Sequence, residues 1–229
     1  MKYLYVLLLI VFIASCRCSN EPEDQANIPV DTLMVGAKKI LLYPITKSDF
    51  EAVKYDGING IDTIPLDTSK IRIAQDTITI HCENGKVVKL INDTIESDAM
   101  VGYEYLYSIK SCNSAFFRGI YYEWTAVTMV SLISGRRTEI VDVPNFSPTG
   151  KFMISSYSDL VSGEMPNGIE LYKADNDVLK TVFACDIEDW GPEEIRWQSD
   201  SVIYIKRLHL DDKYKESYDY VKANLVVRK

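Results

Sequence analysis

Carboxylate oxygens and aromatic ring faces are the chemistry this sequence offers. Asp159, Glu164 and Asn167 lie in "SDLVSGEMPNG", residues 158–168. That stretch is long for a hairpin connection, and long loops in compact β domains are often functional. Their oxygens can coordinate calcium, although they lack the every-second-residue spacing of an EF-hand loop. A wide turn bent at Pro166-Asn167-Gly168 accounts for the same residues. Tyr103, Tyr105 and Tyr107 alternate, which puts them on one face of a strand with Ile109, beside Tyr121, Tyr122 and Trp124 on the next strand. Exposed, such a platform stacks on sugar rings; buried, it stabilises a sheet by up to ~1 kcal/mol per cross-strand pair. "EDWGPEE", residues 188–194, gathers four carboxylates around Trp190. Glycoside hydrolysis needs two carboxylates flanking one bond, whereas an acidic surface loop is the plainer reading. His81 and His209 are the only histidines. Both fall on strand-like stretches, with no nucleophile elbow, HExxH motif or phosphate-cradling glycine loop. No catalytic residue, metal site or cofactor is assigned.

The elements that must position these groups are strands. Fifteen tyrosines, frequent Val, Ile and Thr, and short alternating runs indicate β-structure. In "DTITIHCENGKVVKLIND", residues 76–93, Ile78, Ile80 and Cys82 alternate with Thr77, Thr79 and His81. Asn84-Gly85 then offers the positive φ angles of a tight hairpin turn. Ser134-Gly135 turns "TAVTMVSLI" into "RRTEIV", and "FSPTGKFMISSYSD" pairs with "GIELYKAD". In all, about thirteen mostly antiparallel strands are expected. One short helix is expected over Lys47–Lys54, capped by Thr46, with Asp49 in the first turn and Phe50 and Val53 on one face.

The chain has 229 residues and a formal charge of −8, with no basic cluster. This argues against nucleic acid, which needs Lys and Arg to neutralise phosphates. Besides Cys16, the cysteines are Cys18, Cys82, Cys112 and Cys185. Their wide, irregular spacing disfavours zinc, and no obligatory disulfide is expected.

The N-terminus carries the most specific signal. Lys2 precedes an apolar run from Tyr3 to Ile13, the length of a secretory h-region and too short to span a bilayer. Ile13, Ala14, Ser15 and Cys16 resemble, position by position, the lipobox of bacterial lipoproteins. The resemblance implies cleavage before Cys16 and lipidation of its thiol, with several acyl chains making a stable membrane anchor. The boundaries that follow are 1–15 for the signal peptide, 16–30 for the lipidated N-terminus and its flexible tether, and 31–229 for a single β-rich domain. Acidic residues behind the cysteine resemble the surface-export signals of Bacteroidota lipoproteins, and a plain solvated linker has the same composition.

Between Phe146 and Arg207, "FSPTGKFMISS", "GIELYKAD" and "IRWQSDSVIYIKR" resemble the blade rhythm of TolB-type and WD40-like propellers. In that rhythm Pro148 and Gly150 form a turn, and Phe146 and Trp197 plug the core. Closing a propeller takes four or more four-stranded blades, more strands than are expected here. The expected fold is therefore all-β: an antiparallel meander with propeller-like blades, either an open or incomplete propeller or a two-sheet stack, with one short helix. The whole chain is also similar to small Bacteroidota lipoproteins. Asp-Thr or Asp-Ser before an aliphatic residue recurs and resembles the O-glycosylation acceptor of exported Bacteroidota proteins, marking Thr32, Thr63, Thr77, Thr94 and Ser201. An Asx-turn opening a strand has the same pattern.

The functional expectation is a lipid-anchored cell-envelope protein, at the outer membrane, that binds or scaffolds without doing chemistry. Its partners would be the membrane, through the lipid, and an envelope protein or a glycan, with Tyr103, Tyr105, Tyr107, Asp159, Glu164 and Asn167 as candidate contacts. The alternatives are a glycan-binding or carbohydrate-active surface protein, and an inhibitor that plugs a foreign hydrolase with loop 158–168.

Overall fold

A computed structural model of the chain describes residues 28–36, 38–53, 63–93, 95, 100–175 and 178–225. Cys16, Cys18, Thr94 and the expected signal peptide lie outside the described residues. No helix among the described residues is long and apolar enough to cross a membrane.

The described residues form four antiparallel sheets. The first contains β4 (Ile71–Ala74), β5 (Thr77–His81) and β6 (Val87–Ile91). The second, in the order β10-β9-β8-β7-β3, is built from β3 (Thr63–Ile64), β7 (Val101–Ile109), β8 (Ser114–Tyr121), β9 (Thr125–Ser131) and β10 (Arg137–Ile140). The third runs β11 (Asn145–Phe146), β12 (Phe152–Tyr157), β13 (Gly168–Asp175) and β14 (Val178–Asp186). The fourth joins β15 (Gly191–Ser199), β16 (Val202–Leu210) and β17 (Glu216–Asn224) to β2 (Lys38–Pro44) and β1 (Asp31–Val35). The fold is all-β with one short helix, and no sheet closes into a barrel, an arrangement that fits an open propeller or a stack of sheets. The chain carries more strands than expected, chiefly β1 to β4. Two of these make sense only beside β17, a partner far away in sequence.

Three apolar clusters join the sheets in chain order. Ile78, Ile80, Val88 and Leu90 of the first sheet meet Ala115, Phe117 and Val130 of the second. The opposite face of the second sheet, with Ile109, Phe116 and Met129, meets Phe146, Met153 and Tyr172 of the third. The third sheet then turns Ile154, Ile169 and Leu171 towards Trp197, Ile203, Ile205 and Val221 of the fourth. Both inner sheets are covered on two faces, so their strands lose the in–out alternation of a half-solvated strand. In β9, "TAVTMVS" is buried from Ala126 to Ser131.

Local signals mostly hold. The helix α1 (Lys47–Ala52) has a capping box in which Thr46 Oγ accepts from the Asp49 amide at 3.1 Å, while the Thr46 amide donates back to Asp49 at 3.0 Å. Phe50, its buried residue, packs on Tyr220 of the fourth sheet. Gly85, Gly135 and Gly150 take positive φ in their turns. Asn84, expected to share the left-handed conformation, does not; its side chain instead accepts from the Lys86 amide at 2.9 Å. Phe146 and Trp197 are both fully buried.

The tyrosine stripe is corrected. A register shift between Tyr105 and Tyr107 inserts a β-bulge in β7. An extra residue reverses the alternation beyond it. Tyr103 and Tyr105 therefore pack with the cluster shared with the first sheet, and Tyr107 with the cluster shared with the third. No common tyrosine face exists.

Cys82, Cys112 and Cys185 are free, buried thiols, each in a different cluster, so no two of them can meet. Burial pushes the Cys112 and Cys185 thiols up to about 11, which suits small core residues better than nucleophiles.

Candidate functional site

Between the second and third sheets runs a groove of about 600 Å³. One wall is the edge of the second sheet: Glu123 and Trp124 in the turn before β9, Thr125 and Ala126 at its start, and Glu139 and Ile140 on β10. The other wall comes from the third sheet. Alternation on β13 turns Ile169 and Leu171 towards the fourth sheet, which leaves Glu170 and Tyr172 facing the second. Glu164, Met165 and Pro166 form the rim. The volume lies within the range of sites for small organic molecules.

Four glutamates, 123, 139, 164 and 170, line this groove without a lysine or arginine. None of them forms an ion pair among the described residues. Two meet tyrosines. Tyr172 donates its hydroxyl to Glu170, and burial, followed by this bond, holds the phenol well above its ordinary pKa. Burial also raises Tyr121, with further contributions from Tyr103 and Glu139. Tyr121 stacks on Trp124, ring centroids 3.9 Å apart and 5° from parallel. Trp124 remains 41% exposed.

Loop 158–168 is a scaffold for the rim. Asp159 Oδ1 accepts from the amides of Val161 (3.1 Å) and Ser162 (2.8 Å), and Oδ2 from the Met165 amide (3.0 Å) and the Ser162 hydroxyl. These bonds, the Ser162 hydroxyl foremost, hold its carboxyl far below the usual range. Asn167 Nδ2 donates to the carbonyls of Ile187 (2.6 Å) and Trp190 (3.0 Å), tying the loop to the start of β15. Only Glu164 of the three candidate ligands faces the groove. Among the described residues no group of three His, Cys, Asp or Glu side chains could hold a metal ion.

The remaining candidates are dispersed. Of the 188–194 carboxylates, Glu194 pairs with Arg196 at 2.7 Å and Glu193 lies 3.9 Å from Lys206. Trp190 is buried and donates to Asp31 at 2.8 Å. That Asp31 belongs to a separate ion cluster. The buried Arg207 bonds Asp219 through two nitrogens (2.7 and 2.6 Å) and Asp31 through a third (2.7 Å), with His209 3.2 Å from Asp219. His81 is exposed on β5. Of the Asp-Thr/Ser acceptors, Thr63 and Ser201 are exposed and Thr32 and Thr77 half-buried. Two of the preceding aspartates are hydrogen-bonded: Asp93 accepts from the Ile95 amide at 3.1 Å, and Asp200 from the Thr149 amide at 3.1 Å.

No protein-family model, curated protein or solved structure matches this chain. The groove must be read from its own residues. Sequence reasoning missed Glu123, Glu139, Glu170 and Tyr172 as site residues. The one available signal was Glu170, a charge between Ile169 and Leu171 on a strand with few others. Nothing in the sequence says that its face meets another sheet.

Proposed function

We propose that the protein is a lipid-anchored envelope protein that binds a ligand in the groove between its second and third sheets and does no chemistry on it. The groove supports this reading: a concave, half-apolar site with an aromatic wall and four glutamates free of ion pairs among the described residues. With no lysine or arginine in the lining, the four acids give the groove a negative field that attracts a ligand of opposite charge. The anchor rests on the lipobox at Cys16, which tethers the sheets to a membrane surface.

The test is site-specific capture. A photo-crosslinking residue at Glu164 of the lipidated protein should trap a ligand in the native envelope, and the same residue at Lys213, on the exposed β16–β17 turn, should not. Equal capture from both positions, or none from Glu164, would refute the groove as the binding site. Cys16→Ser should move the protein to the soluble fraction, and retention in the membrane would refute the anchor.

A further inference from the structure

We infer that the groove takes an organic cation, a molecule carrying amine or guanidinium groups on an alkyl stem. The inference rests on the groove being the ligand site and adds the class of ligand. Three observations narrow that class. The first is charge: Glu123, Glu139, Glu164 and Glu170 come from four separate stretches of chain, and no basic side chain answers them in the lining. Anionic ligands are repelled. Second, the acids are spread rather than converged, since none of the described residues form a group able to hold a metal ion. Spread carboxylates around a groove of about 600 Å³ suit charges separated along a stem better than a single inorganic ion. The third is the apolar part of the lining. Met165 and Pro166 provide a surface for methylenes, and Trp124 offers a ring on which a cation gains further attraction.

A neutral sugar is the competing ligand, because aromatic rings stack on sugars. Sugar hydroxyls need donors as well as acceptors. Here the Tyr172 hydroxyl already donates to Glu170, and arginine is absent from the lining. The acceptor excess favours a ligand that only donates, as ammonium and guanidinium do.

Spermidine and cellohexaose, titrated separately into the full-length protein, distinguish the two. Trp190 and Trp197 are buried, whereas Trp124 is exposed, so intrinsic fluorescence reports on the groove and calorimetry reads binding independently of it. Spermidine should bind saturably. Glu123→Gln and Glu139→Gln should each weaken it roughly threefold to tenfold, and raising salt from about 0.05 M to about 0.5 M should weaken it further. Circular dichroism confirms that the variants fold, and Glu164→Gln, on the exposed rim, provides a second charge removal if either does not. Saturable cellohexaose binding that ignores the glutamate variants, with no spermidine binding, would overturn the cation inference and leave the groove reading standing. Spermidine binding untouched by every glutamate variant would overturn both. No response to either probe overturns the cation inference.

Discussion

Two gatherings of acidic side chains in this protein have opposite characters. In the fourth sheet, Asp31 and Asp219 are drawn from residues more than 170 positions apart and meet the same buried guanidinium, Arg207. Trp190 adds its indole N–H to Asp31 and its ring face lies 5.2 Å from the Arg207 guanidinium carbon. These acids are neutralised and hydrogen-bonded, and they lock β1 onto β16 and β17. In the groove, four glutamates from much nearer segments are spread around one site with no lysine or arginine in its lining. A neutralised acid holds a structure together, whereas an unanswered acid is available to something else. Net charge cannot tell the two apart.

The strongest way to break this comparison is Arg207→Met, which leaves two half-exposed carboxylates without their buried partner. It should cost about 1–3 kcal/mol and lower the unfolding midpoint by roughly 5 °C for a chain of this size. Thermal and urea unfolding would check it, and unchanged stability would show the cluster to be incidental.

Acid should reach the same cluster without a mutation. Burial pushes the Asp219 carboxyl up, but the hydrogen bonds and charge of Arg207, then those of His209, outweigh it and hold the group below its ordinary value. A lowered folded pKa contributes stability that is whole above the unfolded value of about 3.9. That contribution is lost as pH falls through the lower folded value. The native protein should therefore lose more stability between about pH 5 and pH 2 than Arg207→Met does, measured by urea midpoints across that window.

Asp159→Ala should cost less, because its amide partners lie on an exposed loop where water can replace it. Its sharper effect should be faster proteolysis at residues 161–164, together with weaker ligand binding as the rim carrying Glu164 and Met165 loosens.

The smallest stability effect is expected for Glu164→Gln, within about 0.5 kcal/mol of the native protein by urea unfolding. The same substitution should weaken spermidine. A stability loss as large as that of Arg207→Met would erase the distinction between the two acid sites.

Much of the scaffold was legible in short windows. Thr46 and Asp49 announced the helix cap, Gly85, Gly135 and Gly150 marked turns, and Phe146 and Trp197 proved to be core. The cap and the turns depend on neighbours within a few positions. The tyrosine stripe failed for the converse reason, since a single extra residue at Leu106 reverses the parity of a strand and no residue type there declares it. The candidate site was only partly legible. Loop 158–168 was singled out for three oxygen ligands, yet Asp159 and Asn167 are occupied in shaping it and only Glu164 reaches the groove.

By itself, then, the sequence determined the all-β class, the local turns and the helix, because backbone preference and the two-residue period of a strand act at short range. The tertiary structure alone decided which sheet faces meet, that β2 pairs with β17, that Tyr107 turns away from Tyr105, and that four scattered glutamates share one groove. Those outcomes depend on packing between segments far apart in the chain. A carboxylate is the same residue in a sequence whether an arginine or an open groove awaits it.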